Sequence, residues 1–156
     1  MGLNIPEIRT RFRQDQARYE AVAKRIREDC AVALQMRGIP AEVTSGPKTE
    51  ASFLRKAIVK SVGQLESDDF DPFSRINDRA GVRIVVPHLE AALLARTAVR
   101  DEFIVRNDDD TRDRYAPDQL GYLGLHLEVE LKAEQCDTNE QHLLGVLCEI
   151  QIHTRA

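Results

Sequence analysis

Positive charge is scarce in this chain: 22 Lys and Arg face 26 Asp and Glu, leaving a formal net charge of -4. The surface as a whole therefore does not attract nucleic acid, and any polyanion must bind a local basic patch. Such patches exist, because lysines and arginines gather in 48–60 and again in 75–83. The acidic runs, Asp68, Asp69 and Asp71 and then Asp108, Asp109 and Asp110, read as solvated loops rather than metal sites. Cysteine is also sparse. Cys30, Cys136 and Cys148 are odd in number and lack metal-ligand spacing, which argues against a disulfide framework or a zinc site and leaves reduced thiols. No apolar run approaches the ~20 residues that a membrane-spanning helix needs. Nor does a basic segment followed by an apolar one open the chain, so no secretory signal is expected and the cytoplasm is the expected location. Gly2 is no myristoylation site, since the sixth residue is Pro6. Internal repeats and low-complexity tracts are absent from the sequence.

What remains is an ordinary globular composition, 42% hydrophobic and 31% charged over 156 residues, the size of one domain. Ile8, Phe12, Tyr19, Val22, Ile26 and Val32 recur at helical spacing and predict a long amphipathic helix from Ile5 to about Met36. Gly38 and Pro40 end it. Residues 1–40 are thus expected to pack as an N-terminal helix on a domain formed by 41–156. A short strand near Glu42–Thr44 and a break at Gly46-Pro47 should follow. Ala51–Lys60 then reads as a second helix, with Phe53, Ala57 and Val59 inward and Thr49 as its cap. The β-branched run ending at Pro87 predicts an interior strand, Leu89–Asp101 a third helix facing inward by Leu89, Leu93, Leu94 and Val99, and Phe103–Val105 a short strand. Asn107–Asp110 reads as a loop.

Two late segments alternate cleanly. From Tyr122 to Leu131 the odd positions from 123 are apolar and the even ones carry Tyr122, Gly124, His126, Glu128 and Glu130. In Cys148–Arg155, Cys148, Ile150 and Ile152 share one face, and Glu149, Gln151 and His153 the other. Paired as an antiparallel hairpin, these strands would bring their polar faces together. The expected fold is α+β, a mixed sheet flanked by helices with one polar face incompletely covered.

Four segments on that scaffold carry chemistry: Lys48-x-x-x-Ser52-x-x-x-Lys56, Asp78-x-x-Gly81-x-Arg83, Gly121-Tyr122-x-x-x-His126 and Glu149-x-Gln151. Phosphoryl and pyrophosphoryl transfer needs hard-cation ligands, basic side chains and a group that activates the hydroxyl. Asp78, at the mouth of an apolar strand, suits Mg²⁺, which takes one or two carboxylates and fills its octahedron with phosphate oxygens and water. A turn or helix cap is the alternative. Tyr122 offers a ring that stacks on a purine or covers the rim of the core. His126 is equally a phosphate or hydroxyl partner or a hydrogen-bonded structural residue.

In order and spacing the four segments resemble the synthetase domain of the RelA/SpoT family, over roughly residues 43–155. The resemblance implies a nucleotidyltransferase-like fold and Mg²⁺-dependent transfer of pyrophosphate from ATP to the 3'-hydroxyl of GDP or GTP, the (p)ppGpp chemistry of the stringent response. It implies that Glu149 lies beside the metal with Asp78 and activates the hydroxyl, and that Lys48, Lys56 and Arg83 hold donor phosphates. Tyr122, His126 and Gln151 then fall on the acceptor side.

The sequence also departs from the family pattern. Gly46 stands where an Arg usually packs on adenine, and Asp118 where a Lys meets acceptor phosphates. Gly124 replaces the usual Ser and His153 the usual Arg. Three readings follow: a free guanine nucleotide acceptor, a toxin-type relative acting on the 3' end of tRNA, and a catalytically silent nucleotide-binding module. The family continues past Glu-x-Gln with an aromatic-containing helix, whereas Ala156 ends this chain; the resemblance therefore implies a C-terminally truncated domain. If the chain is instead not a fragment, an oligomer contact or an antitoxin-type partner is expected to cover the sheet where that helix belongs.

Overall fold

The structure is a computed structural model that describes residues 3–47, 49–62, 80–110 and 124–155. Its first element, α1 (Ile5–Met36), has the expected bounds. The Asn4 side chain accepts a hydrogen bond from Glu7 N at 3.1 Å, satisfying one of the orphan amides of the first turn. At the other end Gly38 takes φ 70°, Gly38 N donates to Gln35 O and Ile39 N to Leu34 O, both at 3.0 Å. This left-handed closure lets Ile39 fold back beside Leu34 in the core.

Next come β1 (Glu42–Pro47), α2 (Glu50–Val62), β2 (Ala80–Val86), α3 (Leu89–Glu102), β3 (Ile104–Asp110), β4 (Gly124–Glu130) and β5 (Cys148–Thr154). The strands form one sheet in the order β1-β2-β5-β4-β3, with β2 and β5 parallel and the other pairs antiparallel. The interior position of β2 and the antiparallel pairing of β4 with β5 are as the sequence predicts.

One face of the sheet is core. Val82, Ile84 and Val86, Leu125, Leu127 and Val129, and Cys148, Ile150 and Ile152 close against α1 and α3. A smaller cluster joins Ile8 and Phe12 of α1 to Phe53, Leu54 and Ala57 of α2, with the Phe12 and Phe53 rings 5.1 Å apart. Thr49 caps α2 as expected, its Oγ1 accepting from Ser52 N at 3.1 Å.

Several expectations fail, each for a local reason. Val32 of α1 and Val59 of α2 are exposed, because the buried stripes run through Cys30 and Leu34 and through Leu54 instead. In α3, Leu89 and Leu94 face outward and Ala91, Ala92, Ala95 and Ala98 are buried; short side chains bring that helix close to the sheet. Gly46-Pro47 does not break β1, which runs through both. β1 lies at the edge of the sheet, the position where a strand accommodates proline. Asn107–Asp110 is strand rather than loop, and Phe103 closes α3 instead of opening β3. Asp108 is held at the edge by Arg96, whose Nη2 donates to Oδ2 at 2.9 Å, and by Arg100.

Candidate active site

The opposite face of the sheet is built by register. Across it Thr44, Arg83, Gln151, His126 and Asp109 line up as one row, one residue from each strand. A second row runs Gly46, Gly81, Glu149, Glu128 and Asn107. Beyond Gln151, His153 stands between Val85 and Gly124. Strict alternation in β2, β4 and β5 produces this division, since every buried apolar residue hands its neighbour to the other side.

Glu149, Gln151 and His153 are half-buried along one strand and joined by hydrogen bonds. Gln151 Nε2 donates to Glu149 Oε1. Gln151 Oε1 lies 3.1 Å from His153 Nε2. The His153 and His126 rings meet edge to face with centroids 6.2 Å apart. Burial, reinforced by the positive charge of Arg83 and by His126, holds the His153 imidazole below its usual pKa. Arg83 is exposed on this face. Gly46 and Gly81 leave side-chain-free backbone beside Glu149: among the described residues nothing lies within 4 Å of a Cβ built on Gly46, and a Cβ on Gly81 meets only the backbone oxygens of Gly46 and Glu149, the nearer at 3.8 Å.

The structure thus brings together Arg83, His126, Glu149 and Gln151 among the residues singled out by sequence. Lys56 lies off the sheet, half-buried on α2. Lys48, Asp78 and Tyr122 fall outside the described residues, as does Asp118. Two residues enter that the sequence reading left out of the site. Glu128 sits directly across from Glu149, and Asp109 directly across from His126. Glu128 had a readable signal in the alternation of β4; Asp109 had none, because an acidic run carries no strand propensity.

Among the described residues no three His, Cys, Asp or Glu side chains gather as a metal cage. The expected Mg²⁺ would need no such cage: Glu149 is a hard oxygen donor of the kind it takes, Glu128 lies directly across from it, and Asp78, the other expected ligand, is outside the described residues. A hollow of about 410 Å³ lies elsewhere, lined by Arg100, Val105, Arg106, Asn107 and Asp108 at the edge strand, two strands away from Glu149. No helix of the described residues is long and apolar enough to cross a membrane.

Residues 45–156 match the family described as the region found in RelA and SpoT proteins. The chain belongs to the RelA/SpoT family. Solved structures bear the same fold: small alarmone synthetase 1 from Bacillus subtilis is 22% identical, with a TM-score of 0.67 over 93% of this chain and 71% of that one. Small alarmone synthetase 2 from the same organism is also 22% identical, at TM-score 0.67 over 92% and 72%. A GTP pyrophosphokinase family protein from Streptococcus pneumoniae is 22% identical, at TM-score 0.54 over 86% and 68%. No curated protein matches the chain.

Proposed function

We propose that the chain is an ATP-dependent pyrophosphotransferase that makes (p)ppGpp from GDP or GTP. The observation that carries this reading is the position of Glu149. In a chain of this family, the carboxylate of the Glu-x-Gln motif stands half-buried on the face of the sheet that α1 and α3 leave uncovered, oriented by Gln151 and flanked by glycine backbone. The relatives agree in ligand class, since Bacillus subtilis small alarmone synthetase 1 is known bound to its product pppGpp and bound to AMPCPP.

In this reading Glu149 accepts the proton of the 3'-hydroxyl as that oxygen bonds to the β-phosphorus of ATP. The bond from that phosphorus to the α,β-bridging oxygen breaks, and AMP leaves. Arg83, with Lys48 and Lys56, neutralises donor phosphates; Mg²⁺ would be held by Asp78 and Glu149 and would supply further neutralisation of phosphate charge. Tyr122, His126 and Gln151 serve the acceptor. Glu149 and His153 are four residues apart on β5, which spaces them by roughly 13 Å along the face.

The test is transfer of label from [β-³²P]ATP to GDP, GTP, ATP and deacylated tRNA in parallel, with and without Mg²⁺. Labelled guanine nucleotide formed only with Mg²⁺ is the expected result. Label on tRNA alone would assign the toxin-type acceptor, and nucleotide binding without any transfer would assign a silent module.

A further inference from the structure

The polar side chains of β5 form a chain whose direction is forced by chemistry. An ionised carboxylate only accepts hydrogen bonds, so Glu149 can take the amino end of the Gln151 amide but not its oxygen. That turns Gln151 Oε1 toward His153. A carbonyl oxygen also only accepts, so the imidazole must carry hydrogen on Nε2, 3.1 Å away. We propose that His153 is a positioning residue which, through Gln151, fixes the orientation of the Glu149 carboxylate.

Two departures from the family pattern meet at this point. His153 stands in place of Arg and Gly124 in place of Ser, and the two are direct cross-strand partners on β5 and β4. They are therefore one local change. A glycine opposite His153 puts no side chain against the ring. Burial with Arg83 and His126 nearby favours the neutral imidazole, which has a single N–H to give, and Gln151 claims it. An Arg at this position would instead offer five donors and a fixed charge.

The inference rests on Glu149 being the base of the proposed reaction, but the hydrogen-bond chain can be examined without catalysis. ¹⁵N NMR of the whole chain should show His153 as the Nε2-protonated tautomer, and the Gln151 side-chain amide signals should move in His153→Leu. His153→Gln reaches the same place with an amide donor and should return those signals toward their original position. His153→Asn keeps polarity, but its amide nitrogen replaces Nδ1 rather than Nε2, so it should resemble His153→Leu. In label transfer, His153→Leu and His153→Asn should lower kcat about tenfold with each KM within about twofold, whereas His153→Gln should stay within about threefold of the parent. A merely structural role would make kcat follow the unfolding midpoint across the variants rather than the presence of the donor. An Nδ1-protonated ring, or Gln151 signals unmoved by His153→Leu, overturns the proposal whether or not the protein transfers label. Equal loss of kcat in all three variants overturns it as well. If the parent transfers nothing, the functional reading falls and the spectra alone decide the hydrogen-bond chain.

Discussion

Neighbouring residues of β5 obey opposite rules. Cys148, Ile150 and Ile152 are fully buried, and burial drives the Cys148 thiol far above its usual pKa, so it is inert packing. Glu149, Gln151 and His153, one position over, bind each other through polar atoms on the face that α1 and α3 do not cover. One face holds the fold by displacing water; the other holds groups that a charged ligand can meet. A single strand thus separates stability from chemistry by a step of one residue.

Adjacent substitutions should split these two properties. Glu149→Gln is expected to lower kcat about 10³-fold, the scale of a lost general base. Its denaturant midpoint should scarcely change. Ile150→Ala, next in the chain, should cost about 2–5 kcal/mol of stability by leaving a cavity in the core, while the protein that stays folded retains its kcat. Urea unfolding and label transfer on both variants make the comparison. If Glu149→Gln unfolds the protein, or Ile150→Ala lowers the kcat of its folded fraction to the same degree, the two faces are not independent.

Asp108 extends the comparison to the edge of the sheet. Its side chain is 9% exposed and accepts from Arg96 and Arg100 of α3. It is a charged residue with a core residue's task, tying the last strand to a helix. Asp108→Asn leaves two guanidinium groups facing a weaker acceptor, and because both arginines keep some contact with water the expected loss is about 1–2 kcal/mol. Raising the salt concentration should shrink the difference between parent and variant. An unchanged unfolding midpoint would mean that water replaces the carboxylate without cost.

Alternation made most of the sheet readable from sequence. Period-two patterns in 124–130 and 148–153 placed the side chains of β4 and β5 on their observed faces, and the family's motif spacing identified the chain. The helical stripes were read less well. Counting leucines and valines put Leu89, Leu94, Val32 and Val59 inside, whereas in α3 alanines form the buried surface because closeness to the sheet excludes longer side chains. Asp109 was invisible for a different reason: β3 gains its strand from pairing with β4, a long-range contact that local propensity does not contain. The same holds for the meeting of Gly124 with His153, which are 29 positions apart (153 less 124) and become neighbours only through register.

Gly46 gives the finest contrast, because it lies on the chemical face yet carries no chemistry of its own. The family pattern has an Arg there that packs on adenine. Gly46 is not among the glycines at positive φ, and among the described residues a Cβ on it meets nothing within 4 Å, so Gly46→Arg should fold with a stability change inside about 0.5 kcal/mol. Stacking of a guanidinium on an exposed ring is worth about 0.5–1 kcal/mol, so the KM for ATP should fall roughly two- to fivefold. Register sets a competing result. Gly46, Gly81 and Glu149 lie in one row, and with adjacent strands about 4.8 Å apart an Arg side chain at 46 can reach across Gly81 toward the Glu149 carboxylate. Capture of Glu149 would lower kcat and leave the KM for ATP unchanged, which would mean that the absence of a side chain at Gly46 protects the base. A lower KM at constant kcat would show that the purine lies over β1. If neither parameter moves, another cation such as Arg55 already covers the donor base.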